Sequence, residues 1–248
     1  MFKPGIVAAI TGALFSFQAH AQEADEKRAF IEANILAVFY HELGHAVIDV
    51  MEVPIFGQEE DAADVMSVLL IDWLYEEDTA QAIAMDSAFG YINDPDRELE
   101  VAYWGVHGPD EQRFFNHVCL FYGANPDLRD ELASSLGLPD DRAETCPEEY
   151  ELAADSWGYI FDEADNLDTK VSMVFSPGGS GEDAAIANDL LANEVEQMNK
   201  DFKLPQQVSV SVESCGEANA FYDPEDVSIV FCSEFVTHLD DMYERYWR

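Results

Sequence analysis

The sequence predicts an α+β fold, mainly helical, with a small antiparallel sheet. Apolar residues recur at helical spacing through the first part of the 248 residues, and the pattern changes after Asn166. Short apolar runs separated by turn residues then follow, which is typical of strands. Helices followed by strands indicate the α+β class. We expect a single domain, with a helical part over about residues 22–165 and a sheet-containing part over about 166–248.

The first predicted helix runs from about Lys27 to Glu52, where apolar residues cover most of its circumference and indicate burial. Pro54 ends it. The further predicted helices are a second from about Glu59 to Tyr75, a third after Asp78, one from near Pro109 to Phe121, shorter ones after Pro126 and after Pro139, one from Glu148 to Phe161, one from Asp183 to Asn199, and one at the C-terminus. The predicted strands are Lys170–Phe175, Gln207–Glu213, Ala218–Tyr222 and Val227–Cys232.

The net charge of the chain excludes some classes of binding partner. The chain has 12 Lys and Arg residues against 51 Asp and Glu residues, a formal net charge of −39. Such a surface repels phosphate backbones and anionic lipid, so we expect no nucleic-acid partner. An acidic, Lys-poor surface also fits a protein that works in salty water, where screening relaxes self-repulsion. The alternative is a soluble exported protein without that adaptation.

The N-terminus has the pattern of a signal peptide over residues 1–21. Lys3 supplies positive charge, Gly5 to Phe17 is an apolar stretch too short to span a bilayer, and Ala19-His20-Ala21 fits a cleavage site. No later apolar run is long enough for a membrane helix. The sequence therefore predicts export, to the periplasm or the medium.

Four cysteines remain after residue 21: Cys119, Cys146, Cys215 and Cys232. An even number in an exported chain favours two disulfides. Three pairings are possible, and we favour Cys119–Cys146 with Cys215–Cys232 because this pairing closes the shortest loops. A zinc site of four thiolates is the disfavoured alternative, since no C-x-x-C spacing occurs.

The segment His41-Glu42-Leu43-Gly44-His45 carries the clearest chemical pattern. Two histidines at i and i+4 share a helix face and can bind one zinc ion. Glu42 is placed to accept a proton from a zinc-bound water that attacks a carbonyl. The alternative is a hydrogen-bonded core pair without a metal.

A catalytic zinc requires a third protein ligand, and the start of the next helix offers one. Glu60 and Asp64 lie at i and i+4, so Glu60 can bind the metal while Asp64 orients a ligand imidazole. Ala62 and Ala63 allow two helices to approach closely. Glu59 is a competing ligand, and a solvated acidic run is the alternative without a metal.

A third cluster lies around His107 and Arg113. A histidine donor near the metal can stabilise an oxyanion, and an arginine fork can hold a substrate carbonyl or carboxylate. The alternative for Arg113 is an ion pair with one of many acidic residues. We expect His117 to be a satisfied, partly buried histidine and no ligand.

These motifs resemble a known group. H-E-x-x-H followed by E-x-x-A-D is similar to the signature of the gluzincin metallopeptidases, and the His107 segment resembles H-x-P-x-x-x-R of the neprilysin family. The Asn219-Ala220-Phe221-Tyr222-Asp223-Pro224 segment resembles that family's substrate-holding edge strand, and the mature chain also resembles an uncharacterised bacterial metallopeptidase family.

The resemblance implies a zincin-like fold and one zinc ion per chain. It implies that His41, His45 and Glu60 bind the ion and that Glu42 is the catalytic base. Asp64 would support a ligand from behind, and His107 would stabilise the oxyanion. Arg113, Asn219 and Ala220 would hold substrate.

The sequence thus predicts an exported zinc peptidase that acts on a peptide or protein. The alternative is a catalytically inactive, zinc-containing binding or inhibitor module.

Overall fold

The computed structural model of the protein describes the backbone of residues 10–92, 101 and 103–247. Within this part of the chain the helices are α1 (Ile10–Val50), α2 (Glu59–Leu74), α3 (Glu77–Phe89), α4 (Asp110–Ala124), α5 (Pro126–Ser135), α6 (Asp140–Ala143), α7 (Cys146–Asp165), α8 (Gly181–Asp201) and α9 (Glu234–Trp247). The strands are β1 (Val174–Ser176), β2 (Ser209–Glu213), β3 (Ala220–Asp223) and β4 (Ser228–Cys232). The predicted α+β class is confirmed.

The first helix is longer than the sequence predicted. We expected it to begin near Lys27, but α1 begins at Ile10. No proline or glycine interrupts the chain from Ala13 to Leu43, so nothing local ends the helix there. The predicted signal peptide overlaps this helix and stays a prediction, and its residues 1–9 lie outside the described residues.

Helix α1 is the central element of the core, as its apolar pattern predicted. It contacts α2, α3, α8 and α9 and the strands β3 and β4. Its large side chains are buried, including Phe30, Ile35, Phe39, Tyr40 and Leu43. The polar side chains that are buried on this helix, which include His41 and Glu42, are therefore held in place by packing on several sides.

The C-terminal end of α1 turns the chain sharply toward α2. The Val53 N–H donates to the carbonyl of Ile48 at 2.9 Å, and Glu52 takes a left-handed φ of 53°. Glycine usually holds this position. Pro54 follows and has no N–H with which to continue the helix. The reversal brings the start of α2 back against the last turns of α1.

Helices α1 and α2 cross where both carry small residues. A Cβ added to Gly44 would lie 2.9 Å from the Cα of Ala63, which is fully buried. One turn further along, the Ser67 hydroxyl donates to the Ala37 carbonyl at 2.8 Å. Since any side chain at position 44 would push the helices apart, glycine sets the distance between them.

The sheet is mixed, in the order β1-β2-β4-β3. Strand β2 runs parallel to both β1 and β4, and only β3 and β4 are antiparallel. The antiparallel sheet predicted from the sequence is therefore wrong for two of the three strand pairs. Helix α8 crosses over between β1 and β2 and makes them parallel. The chain then passes through β3 at the edge before it turns back into β4.

Two buried clusters organise the interior of the described residues. The larger draws on α1, α2 and α3 as well as on α8, β2, β4 and α9, so the helical and sheet-containing parts share a core. The smaller surrounds one disulfide and includes Ala88, Phe114 and Val118. The division into two parts stays a prediction.

The structure pairs Cys119 with Cys146 and Cys215 with Cys232. This is the pairing that loop length favoured, and it excludes the four-thiolate zinc site. The first disulfide joins α4 to α7, and the second joins the segment after β2 to the end of β4. Across the described residues, no helix combines the length and apolar character needed to cross a membrane.

Candidate metal centre

Three potential ligand atoms meet where α1 crosses the start of α2. Nε2 of His41 lies 3.2 Å from Nε2 of His45 and 3.2 Å from Oε2 of Glu60. Nε2 of His45 lies 3.3 Å from the same carboxylate oxygen. The three atoms form a nearly equilateral triangle that could hold a metal ion.

Each imidazole is oriented by a carboxylate on its other nitrogen. Nδ1 of His41 lies 2.8 Å from Asp64, and Nδ1 of His45 lies 2.8 Å from Glu59. Because an ionised carboxylate only accepts hydrogen bonds, Nδ1 is the protonated nitrogen of each ring. In the neutral ring Nε2 then carries the lone pair that a metal requires.

The two candidate third ligands take different places. Glu60 points to the histidine Nε2 atoms, whereas Glu59 lies on the far side of the His45 ring. Hydrogen bonds from His107, His41 and His45 hold the pKa of Glu60 well below its usual range, so Glu60 is a carboxylate. Glu60 thus lies beside both Nε2 atoms, and Glu59 lies behind the His45 ring.

An ion pair supports Asp64 from behind. Arg113 donates from Nε and from Nη2 to the two carboxylate oxygens, both at 2.8 Å. Burial raises the pKa of Asp64, but hydrogen bonds from Arg113 and His41 outweigh burial and lower it. The Arg113 guanidinium also lies over the ring of Tyr91, 4.7 Å from its centroid. Asp64 is thus a fixed anion behind His41.

Burial also affects the pKa of His41. Burial by itself lowers that pKa, while hydrogen bonds to Asp64 and Glu60 raise it to about 9. The site is therefore electrostatically suited to positive charge at this position, whether it is carried by a proton or by a metal ion.

Glu42 lines the same cavity wall as His41 and His45, and its environment differs from theirs. It is only 8% exposed. Burial raises its pKa, and the nearby backbone N–H of Tyr222 is among the groups that partly offset this rise. A carboxylate with a raised pKa accepts a proton more readily near neutral pH than an exposed one.

His107 lies at the mouth of the site. Its Nε2 is 2.9 Å from Oε2 of Glu60, and its ring stacks on that of His41 with centroids 6.2 Å apart. About half of its side chain is exposed. The structure thus brings His107 to the ligand triangle, and its predicted role toward an oxyanion stays a prediction.

A cavity of about 1070 Å³ opens on the triangle. Its walls are the last turns of α1, the start of α2, the segment around Trp104 and Val106, and β3. A smaller cavity of about 260 Å³ adjoins it and shares His41, Glu42 and His107. Arg113 borders the smaller cavity, although two of its nitrogens are held by Asp64.

Strand β3 presents its free edge to this cavity. The Cys232 N–H donates to the Asn219 carbonyl, and residues 220–223 pair with 231–228. In an antiparallel pair the backbone groups alternate in direction, so those of Ala220 and Tyr222 point away from β4. The effect of the Tyr222 backbone N–H on the pKa of Glu42 agrees with this direction. Oδ1 of Asn219 accepts the Ala220 N–H at 3.0 Å.

Sequence reasoning missed the role of Tyr222. Its hydroxyl donates to Asp49 on α1 at 2.6 Å, so this side chain joins β3 to α1, and its backbone N–H affects the pKa of Glu42. The strand alternation carried a usable signal, because residue 222 must face the same way as residue 220. The partners Glu42 and Asp49 are distant in sequence, and only the tertiary fold brings them to β3.

Two adjacent helices of this α+β fold bring two histidines and a glutamate together. The protein is therefore a candidate metal-binding protein. Residues 7–161 and 180–248 match the model of a protein family described as "Putative metallopeptidase", and the chain belongs to this family. No curated protein and no solved structure matches the chain. Family membership supports a peptidase role and implies peptide or protein substrates.

Proposed function

We propose that the protein is an exported, zinc-dependent peptidase. The observation that carries the proposal is the triangle of His41 Nε2, His45 Nε2 and Glu60 Oε2, with edges of 3.2, 3.2 and 3.3 Å. Ligand atoms about 2.0–2.1 Å from a tetrahedral zinc ion stand about 3.3 Å apart. Two imidazoles and one carboxylate are also a known donor set for catalytic zinc. These residues therefore fit the ion.

Zinc at this site would act as a Lewis acid that polarises the scissile carbonyl and acidifies water. Glu42 takes the proton of the attacking water and passes it to the amine leaving group as the peptide bond breaks. Its burial and raised pKa suit it to both transfers. His107 donates a hydrogen bond to the carbonyl oxygen as negative charge develops there.

The substrate backbone lies along the free edge of β3. The backbone groups of Ala220 and the side chain of Asn219 hold it by hydrogen bonds, as in strand addition, which requires no particular substrate side chain. Arg113 contacts substrate only from the smaller cavity, since Asp64 already holds two of its nitrogens. The fold of the site is zincin-like in this proposal.

Export follows from the predicted signal peptide over residues 1–21. The two disulfides in the structure favour an oxidising compartment, which is the periplasm or the medium.

Peptide hydrolysis by wild type and by Glu42→Gln tests the proposal. The substrate is a defined peptide library read by mass spectrometry, and zinc content is measured in both proteins. We expect the variant to keep its zinc and to lose about a hundredfold or more in rate, because general-base catalysis contributes about that much. Glu32→Gln is the matched control, since Glu32 lies on the same helix and pairs with Arg28.

Equal rates in wild type and Glu42→Gln would contradict the mechanism. Zinc binding without hydrolysis of any peptide by wild type would favour the alternative, an inactive zinc-containing binding or inhibitor module.

A further inference from the structure

A second cavity, of about 560 Å³, lies apart from the metal centre. None of the residues that line it lines either cavity of the metal centre. It lies at the C-terminal ends of three helices, α2, α7 and α8, whose last turns all contribute to its walls. We name this space the α2–α7–α8 cavity.

Four aromatic side chains, Trp73, Tyr75, Phe161 and Phe202, contribute to the walls of the α2–α7–α8 cavity. Trp73 and Phe161 pack edge to face with ring centroids 5.8 Å apart, and Phe161 and Phe202 do so at 5.4 Å. Trp73 remains 39% exposed and its neighbour Leu74 48% exposed. These apolar surfaces are accessible, so a ligand with apolar groups would cover them.

A carboxylate without a cationic partner lies in this cavity. Glu194 accepts hydrogen bonds from the hydroxyls of Tyr40 at 2.7 Å and Tyr75 at 3.4 Å. Among the described residues, no lysine, arginine or histidine forms an ion pair with it. Tyr40 is fully buried, which places the carboxylate toward the inner end of the cavity.

Helix dipoles add to this negative potential. The C-terminal end of a helix carries about half a negative charge from its unpaired carbonyls, and three such ends meet here. The last turns of α2 and α7 contain no basic residue, and that of α8 contains Lys200. Asp162, Asp165 and Asp201 also line the cavity.

The two lysines of the lining do not neutralise Glu194. Lys200 donates to the side chain of Gln197. Lys203 donates to the Ser172 hydroxyl at 2.7 Å and to the Asn199 carbonyl. Both ammonium groups thus have neutral partners, and the lining carries more negative than positive charge.

We propose that the α2–α7–α8 cavity binds an organic cation with apolar substituents. Its ammonium group contacts Glu194, and its alkyl groups lie on Trp73, Phe161 and Phe202. Aromatic faces attract cations as well as apolar groups, and desolvated alkylammonium ions are the ligands that such sites bind best. The proposal does not depend on the function of the metal centre.

Titration calorimetry with three probes of equal chain length tests this proposal on the full mature protein. The probes are hexyltrimethylammonium, hexanol and hexanoate, in 0.5 M sodium chloride to suppress non-specific attraction to the acidic surface. We expect the cation to bind about tenfold or more tightly than hexanol, as a charge-assisted contact predicts. We expect hexanoate to bind weakest.

Glu194→Gln removes the charge and keeps the shape, and we expect it to weaken binding of the cation about tenfold without changing that of hexanol. Glu196→Gln is the matched control, because Glu196 is exposed on the same helix and does not line the cavity. Zinc content and the thermal unfolding midpoint are measured for every variant.

Trp73→Leu keeps the carboxylate, so it decides the question if Glu194→Gln fails to fold. We expect this substitution to weaken binding of the cation by about three- to tenfold and binding of hexanol by less. Tightest binding of hexanoate would overturn the proposal, as would equal binding of the cation and hexanol. An equal loss in Glu194→Gln and Glu196→Gln would also overturn it, because it would reveal a plain counterion effect.

Discussion

Carboxylates fix both imidazoles of the candidate metal centre. Asp64 accepts from Nδ1 of His41 and Glu59 accepts from Nδ1 of His45, each at 2.8 Å. Of the two, Asp64 is the more constrained, because Arg113 holds both of its oxygens. Substitution of Asp64 should therefore weaken metal binding more than substitution of Glu59.

We predict that Asp64→Asn weakens metal binding by about 10–100-fold, the usual effect of losing such a partner. The amide leaves His41 free to turn and leaves Arg113 without its carboxylate. Competition with a chromophoric chelator measures the affinity. Asp61→Asn is the control, since Asp61 is exposed three residues earlier on α2, and an equal loss in both variants would rule out a specific role for Asp64.

We predict that the buried His117 makes the stability of the protein depend on pH. It is buried on α4, with Nε2 3.0 Å from the Ala84 carbonyl, and its Nδ1 has no partner among the described residues. Burial lowers its pKa to about 4. In the unfolded chain its pKa is about 6.5. The unfolded state therefore binds more protons between these values, and the free energy of unfolding falls as pH drops through this range.

We expect His117→Gln to flatten this part of the pH profile, since glutamine does not titrate. The pKa shift of His117 changes the free energy of unfolding by about 3 kcal/mol at most. Urea unfolding of wild type and variant at pH 7.5, 5.5 and 4.5 measures it. A difference between the two proteins that stays constant over this range would contradict the expectation.

The local part of the site could be predicted from the sequence. His41 and His45, like Glu60 and Asp64, lie four residues apart on one helix, so helical geometry alone puts each pair on one face. The partners that come from other elements could not be predicted in this way. Glu59 meets His45 and Tyr222 meets Glu42 only because the crossing of α1 and α2 and the position of β3 are fixed by packing.

Among the elements, the crossing of α1 and α2 controls the geometry of the ligand triangle. His41 and His45 lie on α1, Glu60 lies on α2, and Gly44 contacts Ala63 between them. The spacing of these helices therefore sets the distance between the histidines and the carboxylate.

We predict that Gly44→Ala destabilises the protein by about 1–3 kcal/mol, as overpacking does, and weakens metal binding. The added methyl group would lie 2.9 Å from the Ala63 backbone, so the helices must separate. Gly158→Ala is the control, because a Cβ there meets nothing within 4 Å, and it should stabilise by up to about 1 kcal/mol. Thermal unfolding and chelator competition measure both. Unchanged metal affinity in Gly44→Ala would show that the spacing of α1 and α2 does not control the ligand triangle.

Strand positions were predicted well and strand directions were not. Strands β2 and β4 lie within the predicted runs, and β3 extends one residue beyond its predicted run, because alternation and turn residues are local signals. Direction depends on which strands become neighbours. Strand β4 lies between β2 and β3, so it pairs parallel with one and antiparallel with the other, and no local pattern encodes that choice.

At the scale of the whole molecule, the formal net charge of −39 opposes compaction. We predict that the unfolding midpoint rises as sodium chloride increases from about 0.1 M to about 1 M, because the screening length falls from about 10 Å to about 3 Å. Calorimetry in sodium chloride and in potassium chloride checks this, since both salts should act alike. A midpoint that stays constant or falls would contradict the predicted adaptation to salt.

We propose that this molecule holds one zinc ion on His41, His45 and Glu60. Mass spectrometry measures the metal content of purified mature protein, made without chelators, for wild type, Glu60→Ala and Glu59→Ala. We predict one zinc per chain in wild type, loss of zinc in Glu60→Ala, and retained but weaker zinc in Glu59→Ala, which removes only the support of His45. No zinc in wild type, even after its addition, would contradict the claim, as would full retention of zinc in Glu60→Ala.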